Sequence, residues 1–364
     1  MKIAVVHNSD KDGTIYRFGK ASPEDYGKKT IQMVINALQG GGHTVASVSG
    51  DKNLCAELER FMPPVPDDAS RRPTGMVFNM AYGIQGECRY THVPAMLEMA
   101  GVPYTGSSPL GHALALDKVI TKHLIHAAGV PTPAFRVLSR AGQPVDGLRY
   151  PLIVKPRHES TSLGLQFVQR REELDAAVAA IVSRYQQEAL VEEYIDGREV
   201  CIALLGNQRL EFLPPVELDF GARELRLMTR DDKYHQRNDE PNKLCPAPFD
   251  AAFDARLNSL ASATFRACHC NDYARVDIRI NRMGQPFVLE INSMASLGEG
   301  GSFVKAALTQ GYSYATLVRR IVDIAQERYF GAASQEAAPC REATSSARPD
   351  ALASGDQQSW PIAV

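Results

Sequence analysis

Two short runs, R-V-D-I-R-I (275–280) and F-V-L-E-I-N (287–292), flank N-R-M-G-Q-P, and they limit the fold more than any other stretch. A glycine-bearing connection between two apolar, β-branched runs predicts an antiparallel hairpin. With the turn symmetric about Met283 and Gly284, Asp277 faces Glu290 and Arg275 faces Asn292. Period two sends Val276, Ile278 and Ile280 to one face, and Arg275, Asp277, Arg279, Glu290 and Asn292 to the other. Facing carboxylates repel unless something positive lies between them. Three oxygen donors on one rigid edge suit a hard divalent cation, magnesium first and manganese second. The competing reading is a solvated strand face with an arginine-carboxylate ladder.

The rest of the chain supplies a setting for that hairpin. Lys2 to Val6, T-V-A-S-V and G-M-V-F-N-M read as strands, and between and after them lie helical patterns, so a parallel sheet wound with helices is expected at the N-terminus. Ser22-Pro23-Glu24 reads as the start of the first helix, with Ser as N-cap and Pro in the first turn, and the glycines at 40–42 end it. A helix from Asp117 to Ala128 leads into V-P-T-P-A-F, a connector. The segmentation expected is 1–116, an N-terminal α/β domain; 117–196, a central segment; 197–330, a strand-rich segment carrying the hairpin; and 331–364, a disordered tail with almost nothing to bury.

Composition excludes some classes. Forty Lys and Arg against 42 Asp and Glu, a net charge of -2, predict neither a nucleic-acid binder nor a membrane-surface protein. The seven scattered cysteines fit reduced thiols, hence a cytoplasmic setting. Cys268-His269-Cys270 has no second ligand pair at zinc spacing and reads as a helix end. No apolar run reaches the roughly 18 residues a membrane span requires.

Lys155 ends the buried run Leu152-Ile153-Val154, where an ammonium needs an anion, and phosphate is a good one. The small-residue stretch E-S-T-S-L-G (159–164) follows at once and can wrap backbone N–H groups around phosphate oxygens. Glu192 and Glu193 then end another strand, with Glu199 on the next. Taken in order, Lys118, Lys155, the 159–164 loop, Glu192-Glu193-x-Ile195, Glu199, Arg275-x-Asp277 and Glu290-x-Asn292 resemble the ATP-grasp superfamily. Within it the chain is similar to D-alanine-D-alanine ligases. M-L-E-M-A-G-V-P-Y-T-G-S (96–107), A-L-A-L-D-K (113–118), P-L-I-V-K-P (151–156) and V-L-E-I-N-S (288–293) carry the likeness.

That resemblance implies a mixed α/β fold of three subdomains, with ATP between the central and C-terminal ones. It also implies that Lys118 and Lys155 hold phosphates, and that the loop with Ser160 and Ser162 closes over them. Main chain at Glu193 and Ile195 would read adenine, Glu192 its amino group and Glu199 the ribose. Asp277, Glu290 and Asn292 would hold two magnesium ions, and Arg275 the oxyanion. Lys233 and Tyr234 fall where the family has a lysine-tyrosine pair on a lid. The implied reaction phosphorylates a carboxylate and joins it to an amine, on amino-acid-like substrates, and the resemblance implies a homodimer.

The chain departs from the family pattern at three places. Glu24 is the stand-in for the glutamate that binds the first amino group, Tyr82-Gly83 replaces a His-Gly pair, and Asn292-Ser293-Met294-Ala295-Ser296-Leu297 lacks the proline and glycine of the family loop. All three fall on the amino-acid pockets, so the expectation is preserved ligase chemistry on a non-standard substrate pair. A D-alanine-D-alanine ligase of cell-wall synthesis and a non-catalytic ATP-binding regulatory protein are the alternatives.

Overall fold

The computed structural model describes residues 1–8, 14–16, 21–63, 74–233 and 240–331. Strands β1 (Lys2–His7), β2 (Thr44–Ser49) and β3 (Gly75–Asn79) form a parallel sheet in the order β2-β1-β3. Parallel strands need crossovers, and helices α1 (Lys28–Gln39) and α2 (Leu54–Phe61) supply them. Helices α3 (His92–Met99) and α4 (Pro109–Leu116) follow, then α5 (Lys118–Ala127).

A second sheet is antiparallel in the order β4-β7-β5-β6, from β4 (Phe135–Leu138), β5 (Leu152–Pro156), β6 (Gln166–Val168) and β7 (Ala189–Glu193). Helix α6 (Arg171–Tyr185) covers one face, burying Leu174, Val178 and Ile181. The third sheet runs β11-β10-β8-β12-β13, with β9 also on β8. Its strands are β8 (Gly197–Gly206), β9 (Leu210–Phe212), β10 (Val216–Asp219), β11 (Asn242–Leu244), β12 (Tyr273–Asn281) and β13 (Pro286–Asn292). Between them lie the short α7 (Arg230–Lys233) and the long α8 (Ala251–Ala267); α9 (Ser302–Thr309) and α10 (Tyr314–Phe330) close the described chain.

The two faces of the third sheet serve different cores. Val200, Ile202, Val276, Ile278 and Val288 pack under α8. Cys201, Ala203 and Tyr273 instead join Ile3, Val5, Met76 and Phe78 of the first sheet, together with α10. Helix α10 buries Leu317, Val318, Ile321, Val322 and Ile324 there, each contributing about 1.5–3 kcal/mol. The C-terminal helix thereby fixes the first sheet against the hairpin sheet.

One expectation fails locally. Helix α1 begins at Lys28 behind Gly27, and Ser22 caps no helix. The Ser22 N–H donates to the Ile84 carbonyl at 2.6 Å, and Ala21 bridges to Gln85. The Ser22 hydroxyl accepts from the Glu24 N–H at 3.3 Å and donates to the Glu24 carbonyl at 3.4 Å. Pairing to a distant segment therefore overrides a local capping signal, and it holds residues 22–26 extended. Tyr234 and the segment from 332 lie outside the described residues, as does the side chain of Lys233.

Candidate active site

Two cavities meet between the second and third sheets. One is lined by Lys155, Ile153, Leu165, Glu192, Ile195, Leu227 and Leu289; the other, of about 420 Å³, by Glu24, Tyr26, Tyr82, Arg275, Asn292 and Ser293. Lys118, Ser160, Thr161, Glu199, Met228, Asp277 and Glu290 line both. The residues at which the cavities join are thus mostly those of the ordered motifs.

Each charged group has a structural reason for its place. Asp117 caps α5 by accepting from the Val119 and Ile120 N–H groups at 3.0 and 3.1 Å, and Arg157 grips its carboxylate at 2.8 and 2.6 Å. Lys118 is therefore held at the first turn. Its ammonium donates to the Glu159 carbonyl and lies 3.9 Å from Glu290 Oε2. Lys155, on β5, lies 2.5 Å from Glu192 Oε1. Lys122, one helical turn after Lys118 and fully buried, lies 2.7 Å from Glu192 Oε2 and donates to Thr132 Oγ1 at 2.7 Å. Burial alone would push the Glu192 carboxyl up; the Lys122 and Lys155 ammoniums outweigh it and hold it at about 2. Lys122 was missed in the sequence, although its i,i+4 spacing from Lys118 placed it on the same helix face.

The 159–164 loop has two consecutive non-glycine residues in the left-handed region, Thr161 (φ 53°) and Ser162 (φ 56°), with Gly164 at φ 74°. Such backbone costs about 1–3 kcal/mol per residue and collects at ligand sites. Among the described residues, the N–H groups of Thr161, Ser162 and Gly164 have no protein acceptor. The loop is tied to the segment above it by Ser162 Oγ donating to the Met228 carbonyl at 2.8 Å and by Arg230 donating to Thr161 Oγ1 at 3.2 Å. At the far end, the Glu193 N–H donates to the Ala134 carbonyl and its carboxylate pairs with Arg149, whereas the Ile195 N–H has no acceptor among the described residues. Glu199 pairs with the buried Arg279 at 3.0 Å.

In the hairpin, Asp277 pairs with Glu290 and Arg275 with Asn292. The route to that register differs from the one expected. Ile278 pairs with Val288 and Ile280 with Pro286, so the turn is centred on Met283 alone, and a bulge between Asp277 and Ile278 adds the missing residue. The bulge also turns Leu289 and Glu290 both toward the cavities while Val288 and Ile291 stay in the core. Arg275 donates to both Asp277 oxygens at 2.7 Å, and Asn292 Nδ2 to Oδ2 at 3.0 Å. These bonds occupy three of roughly four lone-pair directions on that carboxylate. Glu290 Oε2 lies 3.9 Å from the Lys118 ammonium. Two carboxylates and an amide oxygen are hard donors, too few for a protein-only shell, and they fit a magnesium whose other ligands are phosphates and water.

Glu24 reaches the larger cavity from the extended 22–26 segment. It accepts from the Tyr90 hydroxyl at 2.6 Å and pairs with Arg89 at 3.3 Å. Arg89, 3% exposed, also lies 3.5 Å from Glu159. Tyr82 stacks on Tyr26, ring centroids 4.9 Å apart. Neither Arg89 nor Tyr90 carried a sequence signal, since they meet Glu24 from 65 and 66 residues away. The loop after β13 buries Met294, Ala295 and Leu297; Tyr26 donates to the Ala295 carbonyl at 3.4 Å and Tyr314 to the Leu297 carbonyl at 3.0 Å.

The D-ala D-ala ligase C-terminus family model matches residues 124–323. An uncharacterized protein of Sinorhizobium fredii is 53% identical over 335 residues, 91% of this chain and 98% of that one. A D-alanine-D-alanine ligase of Desulforudis audaxviator is 33% identical over 310 residues, 81% of this chain and 99% of its own length. The crystal structure of a D-alanine-D-alanine ligase from Bacillus anthracis has the same fold, with a TM-score of 0.68 at 21% identity over 90% of this chain and 98% of that one. With a family model over more than half its length and a relative of this similarity along most of it, the chain belongs to the D-alanine-D-alanine ligase family of ATP-grasp enzymes.

Proposed function

We propose that this ligase joins a carboxylic acid to an amine with ATP, through an acylphosphate, on a substrate pair other than two D-alanines. The observation that carries the reading is the junction of the two cavities at Lys118, Ser160, Asp277 and Glu290. A phosphoryl donor in the narrower cavity and an acid in the wider one would meet there.

In this reading adenine lies against Leu227 and Leu289 with the free Ile195 N–H at its edge, and Glu199 faces the ribose. Lys118, Lys155 and the unused N–H groups of the 159–164 loop receive phosphate oxygens. Glu192 first of all orients Lys155, because both its oxygens already face ammoniums. Asp277, Glu290 and Asn292 would hold magnesium, which when bound neutralises charge on the transferring group. Arg275 keeps its third nitrogen for the oxyanion of the tetrahedral intermediate, while its other two fix it on Asp277. Ser162, Thr161 and the Met228 segment exclude water, which protects the acylphosphate from hydrolysis. Tyr82, Tyr26 and the buried Met294 alter the amino-acid pockets, and these carry the preference for other substrates.

An acid labelled with ¹⁸O in its carboxylate tests the route. One label per turnover is expected in the released phosphate, because the attacked γ-phosphoryl leaves with a carboxylate oxygen. Unlabelled phosphate alongside amide product contradicts the acylphosphate.

A further inference from the structure

His112 and Ser293 form a buried pair that the reaction above does not use. His112 lies on α4 with no solvent exposure, and its Nδ1 is 2.8 Å from Ser293 Oγ. Ser293 is the first residue after β13, adjacent to Asn292, and it lines the larger cavity. The Tyr90 ring meets the imidazole edge-on, with centroids 6.2 Å apart, and Nε2 has no hydrogen-bond partner among the described residues. Burial keeps the ring neutral by pushing its pKa down to about 3.

A neutral imidazole carries one N–H, on Nδ1 or on Nε2. Placing it on Nε2 would leave a buried donor unpaired, at about 1–3 kcal/mol; bare nitrogen acceptors are tolerated better than orphaned N–H groups. The proton therefore belongs on Nδ1, donating to Ser293 Oγ. That leaves the Ser293 O–H free to donate elsewhere, and the cavity is where its residue opens.

We propose that Ser293 contacts substrate, donating its hydroxyl to the acyl oxygen on which negative charge grows, and that His112 is the positioning residue that turns this hydroxyl into the cavity. This rests on the ligase reading. Arg275, the other donor near that point, is fixed by Asp277 two residues along the same strand, β12, so Ser293, directly after Asn292 on the paired strand, would supply a second, uncharged donor.

The test compares Ser293→Ala, Ser293→Thr, His112→Ala and the Ser293→Ala/His112→Ala pair. Ser293→Ala should lower kcat about a hundredfold, the loss of one preorganised donor, with KM for ATP unchanged. Ser293→Thr should restore most of it. His112→Ala should lower kcat by a smaller factor, and the double variant should be no slower than Ser293→Ala, because His112 acts through the hydroxyl. Losses that multiply in the double variant, or Ser293→Ala within threefold of wild type, overturn the proposal. ¹⁵N spectra of the resting protein read the tautomer without turnover: a proton on Nδ1 is expected, and a proton on Nε2 overturns the positioning role. The ligase reading fails separately, through absence of acid- and amine-dependent ADP formation in the wild type.

Discussion

Glu290→Gln is expected to slow acid- and amine-dependent ADP formation about a thousandfold while leaving the fold intact. The side chain is 25% exposed, stands at the rim between the two cavities and contributes nothing to the core, so its isosteric amide should change stability by no more than about 1 kcal/mol. What it removes is one of the two carboxylates facing each other across the hairpin. A divalent cation clamped on a transferring phosphoryl group contributes several kcal/mol, and about 4 kcal/mol is a thousandfold in rate. Steady-state rates, with manganese titration followed by electron paramagnetic resonance, check both halves: the variant should lose rate and a metal site together. A rate within tenfold of wild type would show that the hairpin carboxylates are only a charge ladder with Arg275.

Glu192→Gln should have its largest effect on stability. The carboxylate lies between two ammoniums with 0% and 9% side-chain exposure, and neutralising it takes the directly paired counter-charge from both. Removing one partner of a buried ionic group costs about 3–5 kcal/mol. The same pairing predicts a pH dependence. The folded pKa of about 2 is below the ordinary 4.5, so the contribution is complete above about pH 4.5 and disappears as pH falls toward 2. The difference amounts to roughly 3 kcal/mol. In urea unfolding, the variant should be destabilised at pH 7, and its deficit relative to wild type should shrink at pH 3. A deficit that is constant with pH would mean that Glu192 is not held as a carboxylate by the lysines.

Much of this site was legible in the sequence because it lies on strands, where period two assigns faces from residue order alone. Asp277 and Glu290 were placed together correctly even though the turn was centred half a residue away, since the bulge at Leu289 restored the register. Nothing in Val288-Leu289-Glu290 announces a bulge; it follows from packing Val288 and Ile291 into one core. The substrate side was less legible. Ser22-Pro23-Glu24 has the local chemistry of a helix start, but the pairing of Ala21 and Ser22 with residues 84 and 85 decided its conformation. Arg89, Tyr90 and His112 act through partners more than sixty residues away, which no local pattern encodes.

The most direct measurement is ADP formation across a panel of acids and amines, alone and in pairs, with the products identified by mass spectrometry. ATP turnover that requires an acid together with an amine, and that yields their amide, is the expected result, with a pair other than two D-alanines the fastest. Full turnover on D-alanine alone would contradict the altered pockets. Bound ATP with no stimulation by any acid or amine would contradict the ligase account itself.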